Sequence, residues 1–213
     1  MIICWSAKGG SGTTVVAASL ALVIARSAPT LLIDTAGDIP AALGIAEPSG
    51  PGVLDWLSSP VADTASLHRL GVHAAPSLHV VARGSGGPIT PEQWTRLGSA
   101  TAATSATEPC TIIDLGTTPP PPGLEDVAEQ SLLVIRPCYL ALRRVVERGL
   151  TPTGVVVVAE PGRALTAADV ARSVGAPVVA QIPYDPAVAR AVDAGLLAAR
   201  MPRSISGPLE ELT

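Results

Sequence analysis

The sequence predicts one α/β domain in which helices cover both faces of a doubly wound, mostly parallel β-sheet. Its 213 residues are enough for one domain of this kind. Hydrophobic residues make up 47% of the chain but aromatic residues only 2%, so the core must be aliphatic, as in sheets that are buried on both faces. Short apolar runs alternate with helical segments, a pattern typical of βαβ units.

The individual elements follow from these runs. We predict strands at residues 1–6, 30–34, 77–82, 111–114, 132–135, 154–159 and 178–182. We predict helices at residues 14–27, 91–104, 140–148, 167–174 and 186–199, and a region of short helices that starts at 53–57. Segments 47–51 and 84–88 are rich in Gly, Pro and Ser and predict surface loops. We expect a single domain at residues 1–203 and a C-terminal tail at 204–213.

Composition and charge exclude several classes of protein. The net charge of −4 provides no general attraction to DNA or to anionic membranes. The cysteines Cys4, Cys110 and Cys138 show neither a CxxC motif nor zinc-ligand spacing, and we expect them to be buried thiols. The N-terminus enters a strand directly and the longest apolar helix is too short to span a membrane, so we expect a cytoplasmic protein without a membrane anchor.

A glycine-rich segment joins the first predicted strand to the first predicted helix. Its residues are Ala7, Lys8, Gly9, Gly10, Ser11, Gly12, Thr13 and Thr14. In this position, backbone N–H groups can surround a phosphate chain at the N-terminus of a helix, and glycine permits positive φ angles. Thr14 is placed to offer its hydroxyl to Mg²⁺. The alternative is a tight turn without a ligand.

This loop resembles the variant phosphate loop of MinD/ParA-type P-loop ATPases, which has the form GKGGxGK[ST]. Lys8 matches the early lysine of that pattern, and the glycines at 9, 10 and 12 and Thr14 match later positions. The resemblance implies that residues 8–14 bind ATP and Mg²⁺. It also implies a homodimer formed through the nucleotide face, in which Lys8 reaches the partner's phosphates and contributes to catalysis.

Two positions depart from the family pattern. Ala7 replaces the first glycine, and Thr13 replaces the lysine that contacts the β- and γ-phosphates. A charge-assisted hydrogen bond contributes roughly 1.5–3 kcal/mol, so we expect binding about 10- to 150-fold weaker and weak or absent hydrolysis. Lys8 is the single lysine in the chain, which indicates a task that arginine cannot perform.

Two predicted strands end in aspartate. Asp34 ends the second strand, and Asp114 ends a strand that resembles the family's Walker B motif. The resemblance implies that both organise Mg²⁺ with Thr14, and that Gly116 donates its N–H towards the γ-phosphate. The alternative for Asp114 is a turn-forming residue.

The segment after Asp34 differs from the family's usual Asp-x-Asp, because Ala36 occupies the second acidic position. We expect Asp38 to take over the catalytic role of the missing carboxylate. This Gly37-Asp38 arrangement resembles pilus-associated relatives. The alternative for Asp38 is an N-cap of the helix that follows it.

The C-terminal part of the chain resembles the family's base-binding region. The family's Ile-Pro-x-Asp segment lines the base, and Pro183, Tyr184 and Asp185 match it. Tyr184 could stack on a purine or be a partly exposed loop residue. Ala159 stands nearest to the place of the asparagine that recognises adenine in the family.

Three functions remain open. The TadZ/CpaE branch, which localises Tad pilus or secretion machinery, is the nearest match, although these 213 residues show no counterpart of the receiver-like domain of CpaE. Such a protein would be a dimeric partner of a membrane-associated machine, with weak or lost ATPase activity. The second function is an active ATPase of the ParA type, and the third is a biosynthetic P-loop enzyme, for which no specific residues are visible.

DNA binding in the manner of ParA is a further option. The sequence offers arginines at 143, 144 and 148 on one helical segment and at 190, 200 and 203 near the C-terminus. A solvated helix face is the favoured alternative because the net charge is acidic.

Overall fold

The computed structural model describes residues 1–102 and 109–212. The strands are β1 (Ile2–Trp5), β2 (Thr30–Asp34), β3 (Val72–Ala75), β4 (Leu78–Val81), β5 (Cys110–Asp114), β6 (Gln130–Ile135), β7 (Gly154–Ala159) and β8 (Val178–Pro183). The helices are α1 (Thr13–Ile24), α2 (Ile39–Leu43), α3 (Val53–Ser58), α4 (Thr64–Arg69), α5 (Pro91–Thr101), α6 (Pro122–Glu125), α7 (Tyr139–Glu147), α8 (Ala167–Val174), α9 (Pro186–Asp193) and α10 (Arg203–Glu210). The last part of the helix predicted at 91–104 lies outside the described residues.

These strands form one eight-stranded sheet in the order β3-β4-β2-β5-β1-β6-β7-β8. Neighbouring strands run parallel except for β3 and β4, which pair antiparallel at one edge. The predicted doubly wound, mostly parallel sheet is therefore confirmed. The central strand β1 lies between β5 and β6, where the strand order reverses, and ligands of such sheets bind beyond the carboxyl ends of the strands at this point.

The sheet is buried on both faces because its strands consist largely of Ile, Leu and Val. Alternate residues of β1 join different cores: Ile3 and Trp5 pack on one face, Ile2 and Cys4 on the other. The second face is covered by α1, from which Leu20 and its apolar neighbours are buried. Helix α1 therefore fixes the position of the glycine-rich loop that precedes it.

The C-terminal segment differs from the expected tail. Residues Arg203–Glu210 form α10, whose Ile205 and Leu209 are buried in the same core as α1. The helix predicted at 186–199 ends at Asp193, before Gly195, which has a φ angle of 64°. In the described ranges, we find no helix with the length and apolar character needed to cross a membrane.

Candidate functional site

The glycine-rich loop connects β1 to α1, and its glycines adopt conformations that other residues rarely tolerate. Gly10 has a φ angle of 78° and Gly12 one of 90°. Among the described residues, no atom lies within 4 Å of a Cβ added at either position. Glycine is therefore required here by the backbone conformation, and the loop keeps its inner surface open.

Hydrogen bonds fasten this loop to the end of the sheet and to α7. The Ser11 hydroxyl donates to the carbonyl oxygen of Lys8 at 2.7 Å, and the Ser6 hydroxyl donates to the same oxygen at 3.1 Å. Arg144 of α7 donates to the carbonyl oxygen of Ala7 at 3.3 Å. The carbonyl groups of Ala7 and Lys8 are thus hydrogen-bonded to side chains of the protein.

A cavity of about 510 Å³ opens over the loop, and we call it the loop cavity. Its walls combine residues 9–15 with Thr35, Ala36 and Asp38 after β2, Arg83 after β4, and residues 115–118 after β5. The fold therefore brings the ends of three neighbouring strands together around the glycine-rich loop.

Asp114, the last residue of β5, is fully buried beside this cavity. Its Oδ1 accepts a hydrogen bond from the N–H of Gly116 at 2.9 Å, whereas Oδ2 has no hydrogen-bond partner among the described residues. Burial raises the pKa of Asp114 to about 6, the N–H of Gly116 and the nearby hydroxyl of Thr14 oppose the shift, and the charges of Asp34 and Asp38 add to it. An unpaired buried carboxylate oxygen fits a Mg²⁺ ion held with Thr14.

The protein alone does not provide a complete metal site. The described residues contain no group of three or more His, Cys, Asp or Glu side chains that could hold a metal ion. Mg²⁺ is commonly bound through one or two carboxylates, with water and substrate phosphates completing its shell. Asp114 and Thr14 suit that mode of binding.

Asp34, which we expected to bind Mg²⁺, has its carboxylate engaged by the loop that follows it. Its Oδ1 accepts from the N–H groups of Ala36 and Gly37 at 2.9 and 2.6 Å, and Oδ2 accepts from Ile39 at 2.9 Å. Burial raises the pKa of Asp34, and these hydrogen bonds oppose the shift. The carboxylate thus shapes residues 35–39, and its role as a metal ligand stays a prediction.

Two other predicted site residues, Asp38 and Gly116, differ in whether they are available to a ligand. Asp38 precedes α2, but its side chain makes no capping hydrogen bond and is exposed on the wall of the loop cavity. This position leaves its carboxylate available to orient a water molecule. The N–H of Gly116, expected to point towards a γ-phosphate, instead donates to Asp114 in this structure.

The two basic positions of the family's loop pattern also differ here. Thr13 is 6% exposed and lines the loop cavity, so the side chain at this position of the loop contributes no positive charge. The Nζ of Lys8 donates to the carbonyl oxygen of Gly9 at 3.5 Å, in an exposed position. Of the described residues, Lys8 is not among those that line the loop cavity.

A second cavity of about 250 Å³, the apolar cavity, continues from Ser11 and Gly12 towards the ends of β7 and β8. Its wall is mainly aliphatic and includes Val15, Val16, Val158, Ile182, Val188, Val192 and Ile205. Pro183, Tyr184 and Asp185 also line it, as the sequence predicts for residues near a base. An apolar slot beside a phosphate loop has the chemistry needed to hold a nucleobase.

Within this group, Tyr184 and Asp185 have different surroundings. Tyr184 is 49% exposed, and its N–H donates to the carbonyl oxygen of Ala159 at 2.8 Å. The carboxylate of Asp185 accepts from the hydroxyl of Ser204 at 2.7 Å and from the N–H of Ala187 at 2.8 Å, which lowers the pKa of Asp185. Asp185 therefore ties α9 to α10, while Tyr184 can contact a ligand.

Two arginines at these cavities were not predicted as site residues. Arg83 lines the loop cavity, and Arg136 lines the apolar cavity and pairs with Glu160 at 2.7 Å. Each arginine follows the end of a β-strand by one or two residues. Their place just after a strand is the sequence feature that could have indicated these arginines, but a single arginine after a strand forms no recognisable motif.

The arginines of α7 that were considered for DNA binding already have partners. Arg143 pairs with Glu147 at 2.6 Å, and Arg144 contacts the glycine-rich loop as described above. Neither contact requires a nucleic acid.

A glycine-rich loop between a central strand and a helix, with aspartate at the end of the adjacent strand, defines a P-loop nucleotide-binding domain. Residues 2–198 match the family described as the CobQ/CobB/MinD/ParA nucleotide binding domain. The match covers most of the chain, and the protein belongs to this family.

Solved structures with the same fold cover nearly all of the chain. The cell division protein MinD of Aquifex aeolicus aligns with a TM-score of 0.76 and 18% identity, over 99% of this chain and 93% of its own. Apo McdA of Cyanothece aligns with a TM-score of 0.76 and 18% identity, over 100% and 98%. MinD of Pyrococcus horikoshii, complexed with Mg-ADP, aligns with a TM-score of 0.74 and 16% identity, over 99% and 93%. The curated proteins include no match to the sequence.

Proposed function

We propose that this protein binds ATP and Mg²⁺ weakly, hydrolyses ATP slowly or not at all, and works in the cytoplasm as a homodimeric localisation or regulatory factor. Its partner would be a membrane-associated machine, such as the Tad pilus or secretion apparatus served by TadZ/CpaE proteins. The observation that carries the proposal is the loop cavity, beside which the buried carboxylate of Asp114 lies near Thr14, and whose glycine-rich loop has Thr13 in place of the second lysine.

The side of the cavity that would hold Mg²⁺ has the residues for this task. Among the described residues, one buried oxygen of Asp114 has no hydrogen-bond partner, and Thr14 lies beside that carboxylate. MinD of Pyrococcus horikoshii was solved with Mg-ADP, and an McdA variant of Cyanothece was solved with ATP. We extend nucleotide and metal binding to this chain on these grounds.

Weak hydrolysis follows from the charge at the phosphate loop. Thr13 offers a hydroxyl where the family pattern has an ammonium group, and phosphoryl transfer depends on positive charge around the phosphates. Asp38 remains available for orienting water, so the expected defect is loss of transition-state stabilisation rather than loss of every catalytic group.

The proposed dimer rests on the surface around the loop. The Nζ of Lys8 is exposed and contacts the carbonyl oxygen of Gly9, and Lys8 is not among the described residues that line the loop cavity, so its ammonium group is accessible to a second copy. On α7, which contacts the loop through Arg144, the side chains of Tyr139, Leu140 and Val146 are more than half exposed. An exposed apolar patch next to a nucleotide site fits a nucleotide-dependent contact between copies.

The test combines nucleotide titration with measurement of mass in solution. We expect the wild type to bind ATP in the presence of Mg²⁺, to bind it more weakly with EDTA, and to form a dimer when ATP is bound. Lys8→Ala should abolish the dimer and Lys8→Arg should impair it, while both keep the fold. Unchanged dimerisation in Lys8→Ala would remove the role given to this lysine.

Steady-state hydrolysis tests the second half of the proposal. Turnover similar to that of an ordinary family member, abolished by Thr13→Ala, would contradict weak hydrolysis. ATP-dependent, sequence-independent DNA binding that is lost at high salt would favour a partitioning function over the localisation function.

A further inference from the structure

Among the described residues that line the loop cavity, Arg83 is the one with a cationic side chain. It lies two residues after β4, and β4 pairs with β2 in parallel register, Val81 opposite Ile33. The side chain crosses to the loop after β2, where its Nε donates to the carbonyl oxygen of Thr35 at 3.1 Å. Its Cδ lies so close to Gly37 that an added Cβ there would be 3.2 Å away.

The backbone of Arg83 is also fixed from the opposite side. Its carbonyl oxygen accepts from the N–H of Leu54 at 3.0 Å, within the first turn of α3. The carboxylate of Asp55 accepts from the N–H groups of Gly52 at 2.8 Å and Ser85 at 3.0 Å. These bonds tie the segment around Arg83 to α3, so the arginine has a defined position at the cavity wall.

The guanidinium group retains donors for a ligand. An arginine has five N–H donors, and Arg83 uses Nε for Thr35. In the described part of the chain, no hydrogen bond or ion pair is found for its two terminal nitrogens. A guanidinium anchored through Nε can present the remaining N–H groups to phosphate oxygens in a fixed geometry.

The acidic residues around the loop cavity make a cation at this position electrostatically favourable. Asp34, Asp38 and Asp114 are close enough to one another to influence the pKa of Asp114. Thr13 adds no positive charge, and Lys8 lies outside the residues described as lining this cavity. A nucleotide bound here would bring further negative charge, and Arg83 is the cationic side chain of the same chain, among the described residues, that lines the cavity.

We infer that Arg83 binds the terminal phosphates of the nucleotide in the same chain and supplies the positive charge that Thr13 does not. The inference rests on the proposed nucleotide binding. Because Nε holds Thr35, the same residue links the phosphates to the loop that carries Asp38. Arg83 is thus a phosphate-binding residue that comes from outside the glycine-rich loop.

Displacement of a fluorescent ATP analogue by ATP, ADP and AMP, in the presence of Mg²⁺, tests this inference. We expect Arg83→Gln to weaken ATP binding about 10- to 150-fold and to change AMP binding less than about threefold. Arg83→Lys should retain part of the affinity for ATP because it keeps the charge. Arg172→Gln is the matched control, since Arg172 is 75% exposed on α8 and pairs with Asp169; it should bind ATP as the wild type does.

The outcomes separate phosphate binding from a purely structural role. If Arg83 only braces the loop after β2, Arg83→Gln would weaken ATP and AMP binding equally, and Arg83→Lys, which loses Nε, would behave like Arg83→Gln. Either result would overturn the inference, as would unchanged ATP binding in Arg83→Gln. Should Arg83→Gln not fold, the comparison of ATP with AMP in Arg83→Lys decides. Absence of ATP binding by the wild type would overturn the proposed function as well, whereas failure in the variants alone would not.

Discussion

The two cavities along the end of the sheet are built from different parts of the chain. The loop cavity is walled by the glycine-rich loop and by residues, most of them polar, that follow β2, β4 and β5. The apolar cavity is walled by aliphatic side chains of α1, β7, β8, α9 and α10. One cavity depends on backbone conformation and buried charge, the other on the shape of packed side chains.

Because of this difference, we expect the loop cavity to provide affinity for the phosphates and the apolar cavity to determine discrimination between bases. Positive-φ glycines and buried carboxylates recognise phosphate and Mg²⁺, which are common to all nucleoside triphosphates. Discrimination between bases needs polar groups at defined positions, whereas the wall of the apolar cavity is mainly aliphatic, and Ala159, nearest to the place of the family's asparagine, has no polar side chain. We therefore expect the protein to recognise the triphosphate more strictly than the base.

Asp114→Asn tests the polar side of this comparison and has the largest expected effect. Burial raises the pKa of Asp114 from its ordinary value of 3.8 to about 6. Ionisation of Asp114 therefore disfavours the nucleotide-free fold, and its contribution to the free energy of unfolding should fall as pH rises from about 4 through 6 and remain low above that. A shift of about two pKa units corresponds to about 3 kcal/mol.

Because asparagine does not ionise, the stability of the variant relative to the wild type should increase by up to about 3 kcal/mol between pH 4 and pH 8. Urea unfolding across this range measures the difference. Mg²⁺ with ATP should stabilise the wild type and not the variant. A difference between the two proteins that does not change with pH would show that the charge of Asp114 carries no such penalty.

Thr13→Lys tests whether the missing lysine charge accounts for weak ATP binding by the glycine-rich loop. Thr13 lines the loop cavity, so a lysine there can extend towards the phosphates. We expect ATP binding to strengthen about 10- to 150-fold, the equivalent of roughly 1.5–3 kcal/mol, as measured by titration.

Thr118→Lys is the control for this change, because it adds the same charge to another wall of the same cavity. A smaller gain is expected from Thr118→Lys. An equal gain would mean that the net charge of the cavity, and not position 13, limits binding.

The sequence predicted most strands of the sheet to within two residues because they are uninterrupted apolar runs with clear ends. The bounds of β2 and β7 agree with the prediction, and Asp34 and Asp114 lie at the strand ends as expected. Strand β3 was not predicted: Val72–Ala75 is a short, partly exposed edge strand that depends on antiparallel pairing with β4. A sequence run of this kind has no apolar pattern of its own.

Tertiary contacts account for the other differences. Helix α10 contains Gly207 and Pro208, residues that usually argue against a helix, yet Ile205 and Leu209 hold it against α1 and β8. Arg83 joins the candidate site because β4 and β2 are neighbours in the sheet, which no local motif indicates. Local patterns thus located the glycine-rich loop, whereas strand order determined which side chains face it.

Tyr184→Ala tests the apolar side of the comparison and has the smallest expected effect. Tyr184 is half exposed, and its backbone N–H donates to the carbonyl oxygen of Ala159, so the loop should keep its position in the variant. Loss of aromatic stacking should weaken ATP binding by about 0.5–1.5 kcal/mol, or about 2- to 10-fold. Tyr184→Phe keeps the ring and should bind ATP as the wild type does. Since stacking uses the face of a base and not its edge, GTP should lose as much affinity as ATP; a loss confined to ATP would mean that the apolar cavity discriminates between bases after all.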